Sequence, residues 1–106
     1  MKYLLNNKSL FLELDGDFDN LKVKKIKERI KEDIDKNRPA NVYIDFKNVS
    51  FVDSTGIGFV LARYKQVKEY GGDICIYNLS KDNKKIFDMS GIFTIINYKD
   101  GEICYE

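Results

Sequence analysis

A hydroxyl pair beside an aspartate lies where a strand-like apolar run gives way to a helix-like pattern. Asp53, Ser54 and Thr55 are followed by Gly56 and Gly58. The first turn of a helix presents unpaired backbone N–H groups and a partial positive charge. A polar side chain there can cap the helix, and a serine there can also carry a phosphate. The local chemistry predicts a cap or a phosphorylation site and leaves both open.

A phosphate on Ser54 would change the charge of its surroundings. It adds about −1.5 to −2 charge at neutral pH, beside Asp53. Asp17 and Asp19 would lie close as well if the ends of the predicted strands meet. We expect such a phosphate to repel an acidic or apolar partner surface that the bare hydroxyl accepts, so that phosphorylation acts as a release switch.

Three enzymatic or ligand-binding alternatives fit the segment less well. A nucleophile elbow needs glycine on both sides of the serine and a histidine, and the chain has no histidine. A dinucleotide fingerprint needs three spaced glycines, and Gly56 and Gly58 fall short. An aspartate-phosphorylated receiver using Asp45 or Asp53 stays open, with Asp15 and Asp17 as its other carboxylates. We expect no catalytic residue, no cofactor and no bound metal.

Composition favours one small domain, spanning residues 1–106. Of its residues 43% are hydrophobic, and the net charge is +1, which gives no reason to expect nucleic acid or a membrane as partner. Cys75 and Cys104 are too far apart for a paired motif, so reduced thiols are expected. No apolar run approaches the roughly 20 residues that cross a bilayer. These features predict a soluble, cytoplasmic protein.

The elements that position the segment follow from hydrophobic periodicity. Tyr3–Leu5 and Leu10–Leu14 read as a β-hairpin that ends at Gly16. A helix is predicted over Asn20–Asn37, closed by Arg38 and Pro39, with an apolar stripe at helical spacing: Val23, Ile26, Ile30 and Ile34. A strand follows in which Val42, Ile44 and Phe46 form a buried face and alternate with Tyr43 and Asp45.

The second half repeats this alternation of helix and strand. A helix is predicted from Ser54 to Tyr70, with Gly71 and Gly72 as its stop and an apolar stripe: Ile57, Val60, Leu61, Tyr64 and Val67. Ile74–Tyr77 is a strand covered on both faces. Ser80 caps a third helix that runs to Ser90, stops at Gly91 and turns Ile86 and Met89 inward. Ile95–Tyr98 is the last strand, and a further hairpin strand at Ile103–Tyr105 is left open.

These elements predict an α/β fold. Its centre is a mainly parallel sheet of about four to five strands, opened by a β-hairpin and packed against helices.

Several blocks of the sequence, in one order, resemble a known family. Residues 53–58 (DSTGIG) resemble the signature of STAS-domain anti-sigma factor antagonists, and residues 16–19 (GDFD), 63–66 (RYKQ) and 87–93 (FDMSGIF) match further blocks of that family. The similarity covers nearly the whole chain and is closest to the sporulation members. The chain departs from the pattern at Asp17, Phe18 and Thr55, which bears on partner specificity.

The resemblance implies a non-enzymatic regulator of transcription. Its unphosphorylated form would bind an anti-sigma factor that is also a serine kinase, with ATP or ADP bound to the kinase, and so release a sigma factor. Phosphorylation of Ser54 would inactivate it, and a serine phosphatase would restore it. The motif positions that would line the docking surface are Asp19, Asp53, Thr55, Gly56 and Ile57. An alternative is a STAS adaptor or scaffold of another stress-signalling system, without a Ser54 switch.

Overall fold

The computed structural model describes residues 1–103, which form one sheet with three α-helices. In chain order the elements are β1 (Lys2–Asn6), β2 (Ser9–Phe18), α1 (Asn20–Asn37), β3 (Asn41–Val52), α2 (Ser54–Lys68), β4 (Asp73–Tyr77), α3 (Lys81–Met89), a 3-10 turn (Ile92–Thr94) and β5 (Asn97–Lys99). The strands lie in the order β1-β2-β3-β4-β5, and only β1 and β2 are antiparallel. The predicted α/β class, parallel sheet and opening hairpin are confirmed.

The opening hairpin is longer than its sequence suggests. Asn7 supplies the left-handed residue of the turn, with φ 52°. The prediction that Gly16 ends this unit is wrong, because β2 continues to Phe18. The pairing with β3 shifts register between Glu13 and Asp15 and again between Gly16 and Asp17. A β-bulge of this kind absorbs the positive φ of Gly16, 66°, without ending the strand.

One face of the sheet packs against the helices and forms the main core. The buried residues of α1 are the four predicted from its periodicity: Val23, Ile26, Ile30 and Ile34. They meet alternate residues of the parallel strands, among them Leu10, Leu12, Val42, Ile44 and Ile76. The helix ends as predicted, since Arg38 has φ 45° and donates its backbone N–H to Ile34 O at 2.8 Å.

The third strand is the longest strand of the described residues. It extends over Asn41–Val52, beyond the alternating buried face predicted at Val42, Ile44 and Phe46, and β2 pairs with it as far as Val52. The face of β3 that alternates with this buried face is covered at Asp45, which is only 3% exposed. The Asp45 carboxylate accepts hydrogen bonds from Lys47 N at 2.9 Å and Asn78 Nδ2 at 3.2 Å, which accounts for a buried polar group in a strand.

The second helix agrees with its predicted stripe but ends earlier. It stops at Lys68, and Tyr70 lies in the following turn, where its hydroxyl donates to Pro39 O at 2.7 Å. Three stripe residues are buried, Ile57, Val60 and Val67, while Leu61 and Tyr64 are half-buried. The helix also buries Phe59 and Arg63, which the stripe did not include.

The last third of the chain departs most from its predicted form. Ser80 caps α3 as expected, accepting from Asn83 N at 3.2 Å, and Gly91 ends it with φ 78°. Met89 was expected inward but is 88% exposed, and Phe87 is the fully buried residue. The chain turns through Ile92–Thr94, so the last strand is Asn97–Lys99 and Ile95 is exposed.

Two expectations concern the end of the chain. Ile103 is buried and lies outside any strand. Cys104 and Tyr105 fall outside the described residues, so the hairpin strand at Ile103–Tyr105 stays a prediction, as does the reduced state of Cys104.

Cys75 is a free, buried thiol. Among residues 1–103 no helix has both the length and the apolar character that a membrane crossing requires.

Candidate functional site

Two strand ends and two helix starts meet at one edge of the sheet. Phe18 and Val52, the last residues of β2 and β3, lie opposite each other in parallel register. The residue after each is an aspartate, Asp19 or Asp53, and a helix begins directly beyond it. The backbone N–H of Asp53 donates to Phe18 O at 3.4 Å, which ties the two junctions together. The predicted meeting of the strand ends is therefore observed.

Both aspartates cap the helices that follow them. The Asp19 carboxylate accepts from Lys22 N at 3.1 Å, and that of Asp53 accepts from Gly56 N at 3.0 Å. Both have extended backbone, as N-cap residues do. Of the two capping candidates, Asp53 is the cap, and Ser54 is the first residue of α2 with an exposed side chain. Ser54 is therefore exposed to solvent directly after the capping Asp53.

Gly56 owes its place to close packing beneath the site. A Cβ at this position would lie 2.6 Å from Phe18 O, 2.8 Å from Phe18 Cδ2 and 3.0 Å from Val52 Cγ1. Only glycine lets the first turn of α2 approach the end of β2 this closely. Gly58 has no such neighbour within 4 Å. The two glycines of the segment thus serve different purposes.

The predicted docking residues differ in how far they reach the surface. Asp19, Asp53 and Thr55 are partly exposed, whereas Gly56 is buried and Ile57 is 8% exposed. The structure brings all five to one edge, and their part in docking stays a prediction.

Two exposed apolar residues near the same junctions were not identified from the sequence. Leu21, in the first turn of α1, is 64% exposed, and Phe51, next to the end of β3, is 46% exposed. Each was visible as an apolar residue outside the buried pattern of its own element. In the sequence each lies two residues from a capping aspartate, Leu21 from Asp19 and Phe51 from Asp53.

Two other carboxylates singled out from the sequence, Asp15 and Asp17, lie on β2. Asp17 is exposed to solvent and is paired with Phe51 of β3. Asp15 contacts the chain's N-terminal amine at 2.9 Å and Lys22 Nζ at 3.1 Å, and these hydrogen bonds, the amine first, hold the pKa of Asp15 below its usual value.

The receiver alternative lacks the acidic cluster that it requires. Asp45 lies seven residues before Val52 in β3, about 23 Å at 3.3 Å per residue, so Asp45 and Asp53 do not converge. Within residues 1–103 no group of three His, Cys, Asp or Glu side chains could hold a metal ion. We call the ends of β2 and β3 together with the first turns of α1 and α2 the Ser54 edge. It presents the exposed Ser54, the capping carboxylates of Asp19 and Asp53, and the exposed apolar side chains of Leu21 and Phe51.

This fold and this edge define a small α/β domain with a serine presented at a strand-to-helix junction. The chain belongs to the STAS domain family, whose model matches residues 4–103. The resemblance seen in the sequence blocks is thereby confirmed.

Individual relatives carry related names. The chain is 29% identical to an anti-sigma F factor antagonist of Paenibacillus polymyxa, over 89% of this chain and 80% of that protein. It is 40% identical to an anti-sigma-B factor antagonist of Bacillus subtilis, over about half of each chain (55% and 53%). Among solved structures, the anti-sigma factor antagonist SpoIIAA in its unphosphorylated form matches 95% of this chain and 88% of its own, with TM-score 0.79 and 22% identity. At that identity the likeness shows the fold.

Proposed function

We propose that the chain is a single STAS domain over residues 1–106 and acts as an anti-sigma factor antagonist. Its unphosphorylated form binds an anti-sigma factor that is also a serine kinase, and the sigma factor is released. Phosphorylation of Ser54 ends the binding. The names of the relatives support this function, and SpoIIAA, its structural neighbour, is known in both an unphosphorylated and a phosphorylated form.

The observation that carries the proposal is the position of Ser54. Its side chain is exposed at the first position of α2, and the cap hydrogen bond is made by Asp53 instead. A kinase can therefore reach the hydroxyl without unfolding the helix. The helix N-terminus tolerates the added phosphate, so the fold survives the modification.

The consequence of phosphorylation is electrostatic. Asp19 and Asp53 already place two carboxylates at this edge, and a phosphate adds about −1.5 to −2 charge beside them. Exposed Leu21 and Phe51 flank the edge, and an apolar partner surface that covers them would have to bury the phosphate as well. Burying that charge without a counter-charge is costly, so the complex dissociates.

The remaining roles follow from the same scheme. Asp19, Asp53, Thr55, Gly56 and Ile57 line the docking surface. The kinase holds the ATP or ADP, so the chain itself needs no cofactor and performs no catalysis. A serine phosphatase returns the chain to its active form. Because the partners regulate transcription in a bacterium, the complex forms in the cytoplasm.

Mapping the modification tests the proposal. The chain would be incubated with each anti-sigma kinase of the same genome and ATP, and modified peptides would be identified by mass spectrometry. Ser54→Ala is the test variant, and Ser50→Ala, at an exposed serine of β3, is the matched control. Each is checked for folding by circular dichroism. We expect one phosphate, on Ser54, lost in Ser54→Ala and kept in Ser50→Ala.

Two results would contradict the proposal in different ways. Stable binding of a kinase without any phosphate would favour the alternative of a STAS adaptor or scaffold. A phosphate that hydroxylamine removes would identify an acyl phosphate on a carboxylate and restore the receiver alternative.

A further inference from the structure

A small cleft between α1 and α2 opens beside the Ser54 edge. It encloses about 260 Å³ and has three apolar lining residues, Val23, Phe59 and Ala62. Its polar lining consists of Lys27, Thr55 and Arg63. Thr55 belongs to both features, since it directly follows Ser54. No carboxylate lines this α1–α2 cleft, so its charged side chains are both cationic.

Arg63 is the unusual member of the cleft. Its side chain is only 6% exposed, yet Nε and Nη1 have no hydrogen-bond partner among the described residues. The guanidinium lies 5.3 Å from the ring centroid of Phe59, a cation–π contact that satisfies no N–H group. A buried, charged donor without an acceptor is costly to keep. A structural role alone does not explain why the charge is there.

The charges around Arg63 do not neutralise it. The carboxylates that act on it come from the facing helix, Asp35 and Glu28 of α1. Neither forms an ion pair with Arg63 within 4.0 Å, as the five ion pairs of the described chain involve other residues. Burial lowers the pKa of Arg63, and the two carboxylates only partly oppose this. The guanidinium stays available for an acceptor brought from outside.

We propose that the α1–α2 cleft is a second recognition site, which takes an acidic side chain of the partner protein. Arg63 binds the carboxylate, Lys27 adds its charge at the rim, and the apolar stem of the acidic residue packs on Phe59 and Val23. The choice of a carboxylate rests on charge complementarity, because an acid pairs with the buried guanidinium through directional hydrogen bonds. This inference rests on the proposed function, since the partner is the anti-sigma kinase that docks at Ser54.

The site would give the chain two separate ways of holding its partner. The Ser54 edge is acidic and loses its partner on phosphorylation, whereas the α1–α2 cleft is cationic and contains neither Ser54 nor a carboxylate. We therefore expect the cleft to select the partner and the Ser54 edge to regulate its release. Charged contacts of this kind favour specificity and encounter rate.

Two variants and a control test the site in the full chain. Arg63→Met removes the charge but keeps an apolar side chain on Phe59, and Lys27→Gln removes an exposed charge without touching the core. Lys36→Gln makes the same change on the same helix, about 13 Å from Lys27.

The affinity for the kinase, measured by calorimetry, separates the possibilities. We expect binding to weaken about ten-fold or more in Arg63→Met. A loss of about three-fold is expected in Lys27→Gln, and none in Lys36→Gln. We also expect Arg63→Met to melt at the same temperature as the unchanged chain or higher, because an unpaired buried charge has been removed. A purely structural arginine would give a lower melting temperature instead.

The results that would reject the cleft as a recognition site differ from those that would reject the proposed antagonist function. Equal affinity of all variants for a kinase that binds the unchanged chain would reject the cleft and keep the antagonist. A lower melting temperature for Arg63→Met with unaltered binding by Lys27→Gln would also reject it.

A test without the partner uses the Arg63 Nε–H signal in NMR spectra. It should shift on titration with N-acetylglutamate amide and not with the neutral N-acetylglutamine amide. Inorganic phosphate, titrated in parallel, shows whether the cleft prefers a carboxylate. An Arg63 signal that responds to none of the three would overturn the site whatever the partner experiment gives.

Discussion

Asp53 and Ser54 are neighbours in the chain with separate physical roles. The Asp53 carboxylate is held by Gly56 N at 3.0 Å, while the Ser54 side chain projects into solvent. Replacing the cap should therefore affect stability and leave the acceptor hydroxyl in place. The sequence left open which of the two caps α2, because either side chain can cap, and the structure assigns the cap to Asp53. Phosphorylation of Ser54 stays a prediction.

The first prediction concerns Asp53. Asp53→Ala should lower the free energy of unfolding by about 1 kcal/mol, because the first turn of α2 loses its cap. Asp53→Asn keeps an acceptor at the same place and removes only the charge, so its stability should stay close to that of the unchanged chain. Urea denaturation followed by circular dichroism measures both. Equal losses in the two variants would show that the carboxylate charge matters more than the cap geometry.

The second prediction compares the two glycines of the segment. Gly56→Ala should destabilise by about 1–3 kcal/mol, because the new methyl group meets Phe18 O at 2.6 Å. Gly58→Ala has open space and should stabilise by up to about 1 kcal/mol through helix propensity. The same denaturation measurement gives both values. A stabilising Gly56→Ala would contradict the close approach of α2 to the end of β2.

Arg63 marks the limit of prediction at this scale. Periodicity assigned the apolar stripe of α2 correctly at Ile57, Val60 and Val67. It could not place a charged residue in the interface with α1, since charged residues are normally exposed. Leu21 and Phe51 were not identified because apolar residues are expected to be buried. The residues that the sequence did not reveal are therefore those that go against the usual rule of polar residues outside and apolar residues inside.

At the scale of elements, the two long helices were the most predictable parts. The bounds of α1 and its four buried residues follow directly from a sustained apolar period and a left-handed end at Arg38. Short elements carry too few residues for such a pattern. The 3-10 turn at Ile92–Thr94 shifted β5 along the chain, and a nine-residue α3 turned Phe87 inward instead of Met89.

The third prediction tests the orientation of α3. Phe87→Ala should cost about 3–5 kcal/mol, because a fully buried ring that contacts the Phe46 and Phe93 rings is removed. Met89→Ser, on the exposed side, should change stability by less than about 0.5 kcal/mol. Chemical denaturation measures the difference. Comparable losses in both variants would mean that the helix is rotated relative to the sheet.

At the scale of the whole molecule, the sheet has two unequal faces. The helices cover one, and a smaller cluster on the other joins Phe11, Cys75, Tyr77 and Ile103, with Tyr43 packed beside them. The rings of Phe11 and Tyr43 stack with centroids 5.0 Å apart. Alternation along the strands implied apolar residues on both faces of β4, but not that the chain beyond β5 returns to place Ile103 there.

The fourth prediction uses the thiol in this second cluster. Burial raises the pKa of Cys75, so little thiolate forms near neutral pH, and the side chain is 8% exposed. In a Cys104→Ser variant, Ellman's reagent at pH 8 should react slowly with the folded chain and at once in guanidinium chloride. A fast reaction of the folded chain would show that the second face of the sheet opens readily.

We propose a domain in which surface charge at the start of α2 controls partner binding. Parallel strands fix the junctions at Asp19 and Asp53, and close packing at Gly56 fixes the first turn of α2. The Ser54 hydroxyl lies on this edge, so the phosphorylation that we propose would change its charge without requiring a change of fold.

The most direct test of that claim is the affinity of the partner kinase for homogeneous unphosphorylated and Ser54-phosphorylated chain, measured by calorimetry with ADP present. The account predicts that the phosphate weakens binding at least about 30-fold, because it would be buried against two carboxylates. Ser54→Asp should weaken binding less and Ser54→Asn little, while the melting temperature of the phosphorylated chain stays the same. Equal affinity of the two forms would contradict the switch.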